Sequence, residues 1–229
     1  MNVPTNCDTA AHPNYPSWNY TPAEILADGI VHALGIGLGV LGAIILVVWA
    51  PTSLDTFALT AVLVYATALL AMFGISAAYN MWPVSPTKWL LRRFDHSAIY
   101  LMIAGTYTPL VSQLKASSET IGLLIGVWTV ALIGAALKLL LPGRFDGLSV
   151  VLYLLLGWSV VVVYDTVLPA LPSPALLLLA LGGLLYSGGV AFHVWRSLRF
   201  QNAIWHAFVL VAAACHWGAI MHTVALAHS

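Results

Sequence analysis

Apolar runs of about 20 residues follow one another along almost the whole chain, each closed by a short polar or proline-rich stretch. Seven runs are legible: Gly29–Trp49, Phe57–Tyr79, His96–Gln113, Ile121–Leu140, Leu148–Thr166, Ala175–Val194 and Ala203–Ala225. Their punctuation is Pro51 with Thr52 and Ser53, Pro83 and Pro86, Pro142-Gly143, and the run from Pro169 through Pro172 to Pro174. Backbone polar groups in lipid must be satisfied internally, which leaves helices or a closed barrel. The runs are too long and uniform for alternating barrel strands. The pattern therefore predicts an all-α, seven-transmembrane helix bundle. Residues 23–229 form its single domain and residues 1–22 a polar N-terminal tail.

Polar residues interrupt this pattern at one end of several runs. Ser76 and Asn80 close the second, Asp95 opens the third, and Asn202 and His206 open the seventh. Glu24, Asp28 and His32 enter from the same side on the first. Ser76/Asn80, Asp28/His32 and Asn202/His206 are each spaced i, i+4, so each pair shares a helical face. Polar groups at membrane depth are expensive and point to a functional site. Two readings of the set stay open. A catalytic zinc takes about three protein ligands and a water, which Asp95 would hold or deprotonate. Of the paired Ser76/Asn80 and Asn202/His206 positions only His206 is a good zinc ligand, since an asparagine oxygen is a weak donor. Alternatively the groups hydrogen-bond across helices, at roughly 0.6–2 kcal/mol each, with Asp95 paired to Arg92 or Arg93. The Glu24–Asp28–His32 stripe reads either as a network orienting the cluster or as a helix cap with a solvated face. His96 adjoins Asp95 but points about 100° away.

Composition narrows the class. Of 229 residues 61% are hydrophobic and 7% charged, against about 25% charged in soluble domains. Net charge is zero and no basic tract occurs, which excludes nucleic acid as a partner. Membrane lipid is the expected partner. Lys88, Arg92, Arg93, Lys138, Arg144, Arg196 and Arg199 fall at connections on the face holding the N-terminus; Lys115 stands alone on the other. The positive-inside rule then places the N-terminus in the cytoplasm and the C-terminus outside. Cys7 in the tail and Cys215 deep in the last run read as lone thiols.

Other stretches have local readings. Ser85-Pro86 starts a helix, and Thr87–Phe94 reads as a short interfacial segment. In the third run Gly105 permits close helix approach, Pro109 frees a carbonyl, and Thr106 and Thr108 are placed to satisfy freed groups. The glycines at 35, 37, 39, 182, 183, 188 and 189 read as tight helix packing, not phosphate loops. His216 lies about 15 Å along the helix from His206 and reads as a packed core residue. His193 is ambiguous.

Together these residues resemble the bacterial hemolysin III family, part of the progestin and adipoQ receptor group within an alkaline-ceramidase-like superfamily. The motifs are Glu24-x3-Asp28-x3-His32, Ser76-Ala77-Ala78-Tyr79-Asn80, Arg93-Phe94-Asp95-His96, Ala104-Gly105-Thr106-Tyr107-Thr108-Pro109 and Trp205-His206 with Cys215-His216. The resemblance covers all seven runs. It implies a cytoplasmic N-terminus, residence in the bacterial inner membrane, and a zinc site for lipid amide hydrolysis. Carried onto this chain, the zinc-ligand positions are Asn80, Asn202 and His206, with Asp95 and Ser76 as catalytic groups. Glu24, Asp28, His32 and His96 surround them.

Two of the three expected histidines are asparagine, so metal binding and turnover are expected to be impaired, unless His32 or His96 substitutes. Competing expectations are a lipid-binding receptor using the same cavity, and a pore-forming cytolytic protein. A retinal protein is excluded, because the seventh run carries no lysine.

Overall fold

In the computed structural model, which describes residues 19–49, 55–114 and 116–225, the chain is helical throughout. The tail before Asn19, the loop at Pro51, and Lys115 lie outside the described residues. The helices are α1 (Pro22–Trp49), α2 (Thr56–Met81), α3 (Pro86–Ser112), α4 (Ser118–Leu140), α5 (Asp146–Gly157), α6 (Tyr164–Ala170), α7 (Ser173–Val194) and α8 (Gln201–Ile220). A 3₁₀ turn, Ser159–Val163, joins α5 to α6, and a π turn, Met221–Ala225, extends α8. Their starts follow local chemistry. Asp55 accepts from the Ala58 N–H, Ser117 and Thr120 form a capping box, and Ser85 caps α3 with Pro86 in its first turn.

Burial is inverted relative to a water-soluble bundle. On α1 the buried face is Asp28, His32, Gly35, Gly39, Ala43 and Leu46, at spacings of three and four. The opposite stripe, including Leu26, Ile30, Leu34, Leu41 and Val48, is exposed. Large apolar side chains outside and small or polar ones inside are what a lipid solvent selects. Six helical segments, with α5 through α6 counted together, are long and apolar enough to cross a membrane. α3 falls short because even its apolar part carries Asp95, His96 and several Ser, Thr and Tyr residues; it is also the innermost helix, with Ala104 through Leu110 buried without a break.

Close approach depends on glycine. A Cβ on Gly105 would lie 2.8 Å from the Ala68 Cβ, so α2 and α3 meet at van der Waals limit. A Cβ on Gly35 or Gly39 would lie 3.1 or 3.0 Å from the Phe73 ring, and Gly182 and Gly189 receive His216 and Phe208 of α8. Gly37 faces open space and Gly188 is barely approached, so not every glycine of these runs is a packing glycine.

Three local expectations are corrected. Residues 87–94 are no separate surface segment but the first turns of α3, because the cap at Ser85 and Pro86 starts a helix that nothing interrupts. The fifth run is broken after Gly157. Tyr107 there donates to the Leu156 and Gly157 carbonyls and accepts from the Val160 N–H at 2.8 Å, so one side chain takes the place of helical hydrogen bonds. Thr106 and Thr108 donate to the carbonyls of Met102 and Ala104, one turn back, and not to the carbonyl of Gly105 that Pro109 frees.

α1 packs between α2 and α8, α3 between α2 and α4, and α7 against α8, while α5 closes the ring against α3 and α7. The ring encloses a cavity of about 700 Å³.

Candidate functional site

The cavity has two unlike ends. Ser76 and Asn80 of α2, Asp95 and His96 of α3, Glu24 and His32 of α1, and Asn202 and His206 of α8 all line one end. The rest is mainly apolar, with Met102, Ile103, Leu110, Leu171, Leu176 and Leu179, interrupted by Thr106, Tyr107, Tyr186 and His216. Along α3 alone the lining runs from Arg92 to Leu110, roughly 27 Å by helical rise.

Helix starts set the polar end. Glu24 folds back onto the Thr21 N–H and hydroxyl at 2.9 and 2.7 Å. Its other oxygen accepts from the Phe200 N–H at 3.0 Å, and Phe200 is left-handed, with φ 59°. A non-glycine residue in that region costs about 1–2 kcal/mol, which this charge-assisted bond helps to offset. Glu24 is thus both a helix cap and a clamp that fixes where α8 begins, and with it Asn202 and His206. Tyr20 lies beside them; partial burial, aided by the Asp28 charge, raises its phenol above the ordinary value.

One turn deeper, Asp28 is 4% and His32 5% exposed. Asp28 Oδ1 lies 2.6 Å from His206 Nδ1, and Asp28 Oδ2 lies 3.7 Å from His32 Nε2. The two imidazoles are tilted with centroids 4.5 Å apart. The three donor groups lie within 4.8 Å of one another, so they are able to hold a metal ion.

Asn202 donates through Nδ2 to Asn80 Oδ1 at 3.4 Å, and Asn80 Nδ2 donates to the Ser76 carbonyl at 2.9 Å. Asp95 faces Ser76, and it is not paired with Arg92, whose guanidinium is 2.7 Å from Asp146. His96 lies edge-on to Tyr79, and its carbonyl accepts from Tyr153. His193 packs against Trp205, and His216 against Tyr186, both on the cavity wall.

The profile of the haemolysin-III related family matches residues 23–217. The chain belongs to that family. It is 35% identical over 198 residues to the hemolysin-3 homolog of Bacillus subtilis, covering 85% of this chain and 92% of that protein. With hemolysin-3 of Bacillus cereus the identity is 34%, over 83% and 87% of the two chains. The human monocyte to macrophage differentiation factor is 29% identical over 69% of this chain and 67% of its own. No solved structure matches. Family membership and the six apolar segments together make this an integral membrane protein.

The zinc positions implied by the hemolysin III resemblance do not fit a zinc ion here. Asn80 and Asn202 spend their amides on each other and on Ser76, and the third position, His206, is held by Asp28. Neutral amide oxygens are poor partners for a borderline-soft ion.

A group the sequence reading missed is the buried charge cluster at the same end. Asp146 at the start of α5 takes Lys138 of α4 at 2.6 Å and Arg92 of α3 at 2.7 Å. The sequence reading takes Lys138 as a topology marker and offers Arg92 to Asp95, so neither is brought to Asp146. The available signal was scarcity: in a chain with 7% charged residues, a charge beside an apolar run calls for a partner of opposite sign.

Proposed function

We propose that this protein is a seven-crossing membrane protein that binds an amphiphile, one lipid chain with a polar head, inside its helix bundle. The observation that carries the reading is the cavity's uneven lining, with charged and amide groups gathered at one end and mainly apolar side chains along the rest. Its volume of about 700 Å³ lies within the ordinary range for small-molecule sites. Length and polarity gradient together match a chain with a head, not a compact solute. Arg196 and Arg199 border the polar end beside the Asp146-paired Arg92 and Lys138, which favours a head with strong hydrogen-bond acceptors.

In this reading α3 is the seventh crossing, tolerated despite its charge because its polar faces meet protein and cavity instead of lipid. The basic residues at the polar end put that end and the N-terminus at the cytoplasmic face of a bacterial inner membrane.

Zinc-dependent amide hydrolysis at Asn80, Asn202 and His206 is not part of this reading, because that donor set does not fit the metal. Turnover is a second reading, supported by Ser76 and Asp95 reaching the cavity together. A pore, which the name of the Bacillus relatives suggests, has less support: the cationic lining gathers at one end and does not run along the cavity.

The test is native mass spectrometry of the detergent-purified protein, followed by displacement of a fluorescent fatty acid. Retained amphiphile and saturable displacement are expected. Protein that carries no lipid and takes up no probe overturns the reading. Release of fatty acid from a ceramide-like substrate, lost in Asp95→Ala, establishes turnover instead, and ion flux in liposomes establishes a pore.

A further inference from the structure

We infer that Asp28, His32 and His206 form a divalent-cation site, displaced by one helix from the positions the family resemblance implies. Two imidazoles and one carboxylate are a donor set that suits zinc with an open fourth position, and suits cobalt or nickel nearly as well. The three side chains come from a single turn of α1 and the first turns of α8, so two rigid helices hold them. Their donor atoms already converge within 4.8 Å, before any ion draws them in.

Burial is the second, independent observation. The Nε2 atom of His32 is inaccessible and has no hydrogen-bond partner, at a residue only 5% exposed. It is aimed at Asp28 from 3.7 Å, too far for a hydrogen bond and suited to an ion between them. A buried polar atom left unsatisfied costs free energy and needs an explanation. A cation supplies one.

The 2.6 Å contact between Asp28 and His206 is that of a hydrogen-bonded pair, shorter than the edge of about 3.3 Å between ligands of a tetrahedral site with ~2.0 Å bonds. Loading therefore opens the pair slightly, so that a ring nitrogen of His206 offers its lone pair to the metal. His206 keeps a role as ligand, while Asp28 and His32 stand in for the nitrogen donors that Asn80 and Asn202 do not offer. The inference is independent of whether the cavity holds lipid.

The experiment uses the full chain in detergent, stripped with chelator, reloaded with zinc chloride, passed over a sizing column and measured by elemental analysis. About one zinc per chain is expected. Asp28→Asn and His32→Gln should each weaken zinc by roughly tenfold or more, as loss of a ligand does at least as strongly as loss of its support. Cobalt loading gives the visible bands of a four-coordinate ion, which both variants should lose. Background zinc in the folded parent protein, checked by far-ultraviolet circular dichroism, overturns the inference. So does stoichiometric zinc that survives both substitutions. If Asp28→Asn does not fold, His32→Gln alone decides.

Discussion

Asp28 Oδ1 sits 2.6 Å from His206 Nδ1, and this contact ties the first long helix to the last across the polar end of the cavity. The carboxylate is 4% exposed and also faces His32. Asp28→Ala would strip a buried imidazole of its partner without replacing it. The expected loss is on the order of 2 kcal/mol, or ~5 °C in melting temperature for a chain of this size. Thermal unfolding in detergent, followed by circular dichroism, measures it. No change in melting temperature would mean that the contact is not made in the folded protein.

The second buried electrostatic cluster yields a sharper, two-part expectation. Asp146 bridges Lys138 and Arg92, whose side chains are 5% and 8% exposed. Removing the bridging carboxylate leaves two buried cations facing each other. A fully buried pair broken in this way costs roughly 3–5 kcal/mol; with Asp146 itself 33% exposed, about 2–3 kcal/mol is expected for Asp146→Ala. Adding Lys138→Met removes one orphaned charge and should recover about half of the loss. Equal stability of the single and double variants would show that the cations do not feel each other.

These two clusters differ in what the sequence alone reveals: the polar end is legible and the Asp146 cluster is not. Spacing by four residues places Asp28 with His32 and Asn202 with His206 on shared faces, and hydropathy marks which ends of the helices are polar. That was enough to assemble the polar end from four helices. Periodicity does not reveal how two helices are rotated against each other. It therefore left open that Asp28 turns toward His206, while Asn80 turns toward Asn202. The break after Gly157 was hidden for a related reason: its determinant, Tyr107, is 50 residues away in the chain. α3 was legible as a helix but understated as a buried one, because the charges that lower its hydropathy are those it spends on neighbouring helices.

Helix spacing gives a paired prediction that separates packing from helix propensity. Gly105→Ala would place a methyl group 2.8 Å from the Ala68 Cβ, and neither helix backbone can yield locally. Overpacking of this kind costs roughly 1–3 kcal/mol. Gly37→Ala meets nothing within 4 Å and should be neutral, or stabilising by up to ~1 kcal/mol from helix propensity. Melting curves of the two variants should therefore move in opposite directions. If both move together, α2 and α3 do not pack as closely as Gly105 implies.

The cavity itself is open to a steric test that leaves every polar group in place. Val209 lines the chamber from α8, next to Leu210 and one turn beyond His206. Val209→Trp projects an indole into space that an acyl chain would otherwise fill. Because the cavity is already empty of protein atoms, the bulk should be accommodated at little cost, well below the ~1–3 kcal/mol of overpacking a filled core. Amphiphile retention should fall by at least about tenfold, which requires the loss of only ~1.4 kcal/mol of binding. A variant that melts like the parent and yet keeps its full complement of lipid would place the ligand outside the bundle, on the outward apolar faces of the helices. A variant that loses lipid while its zinc content is unchanged would separate the two sites, leaving the cation to Asp28, His32 and His206 and the chain-binding space to the apolar walls.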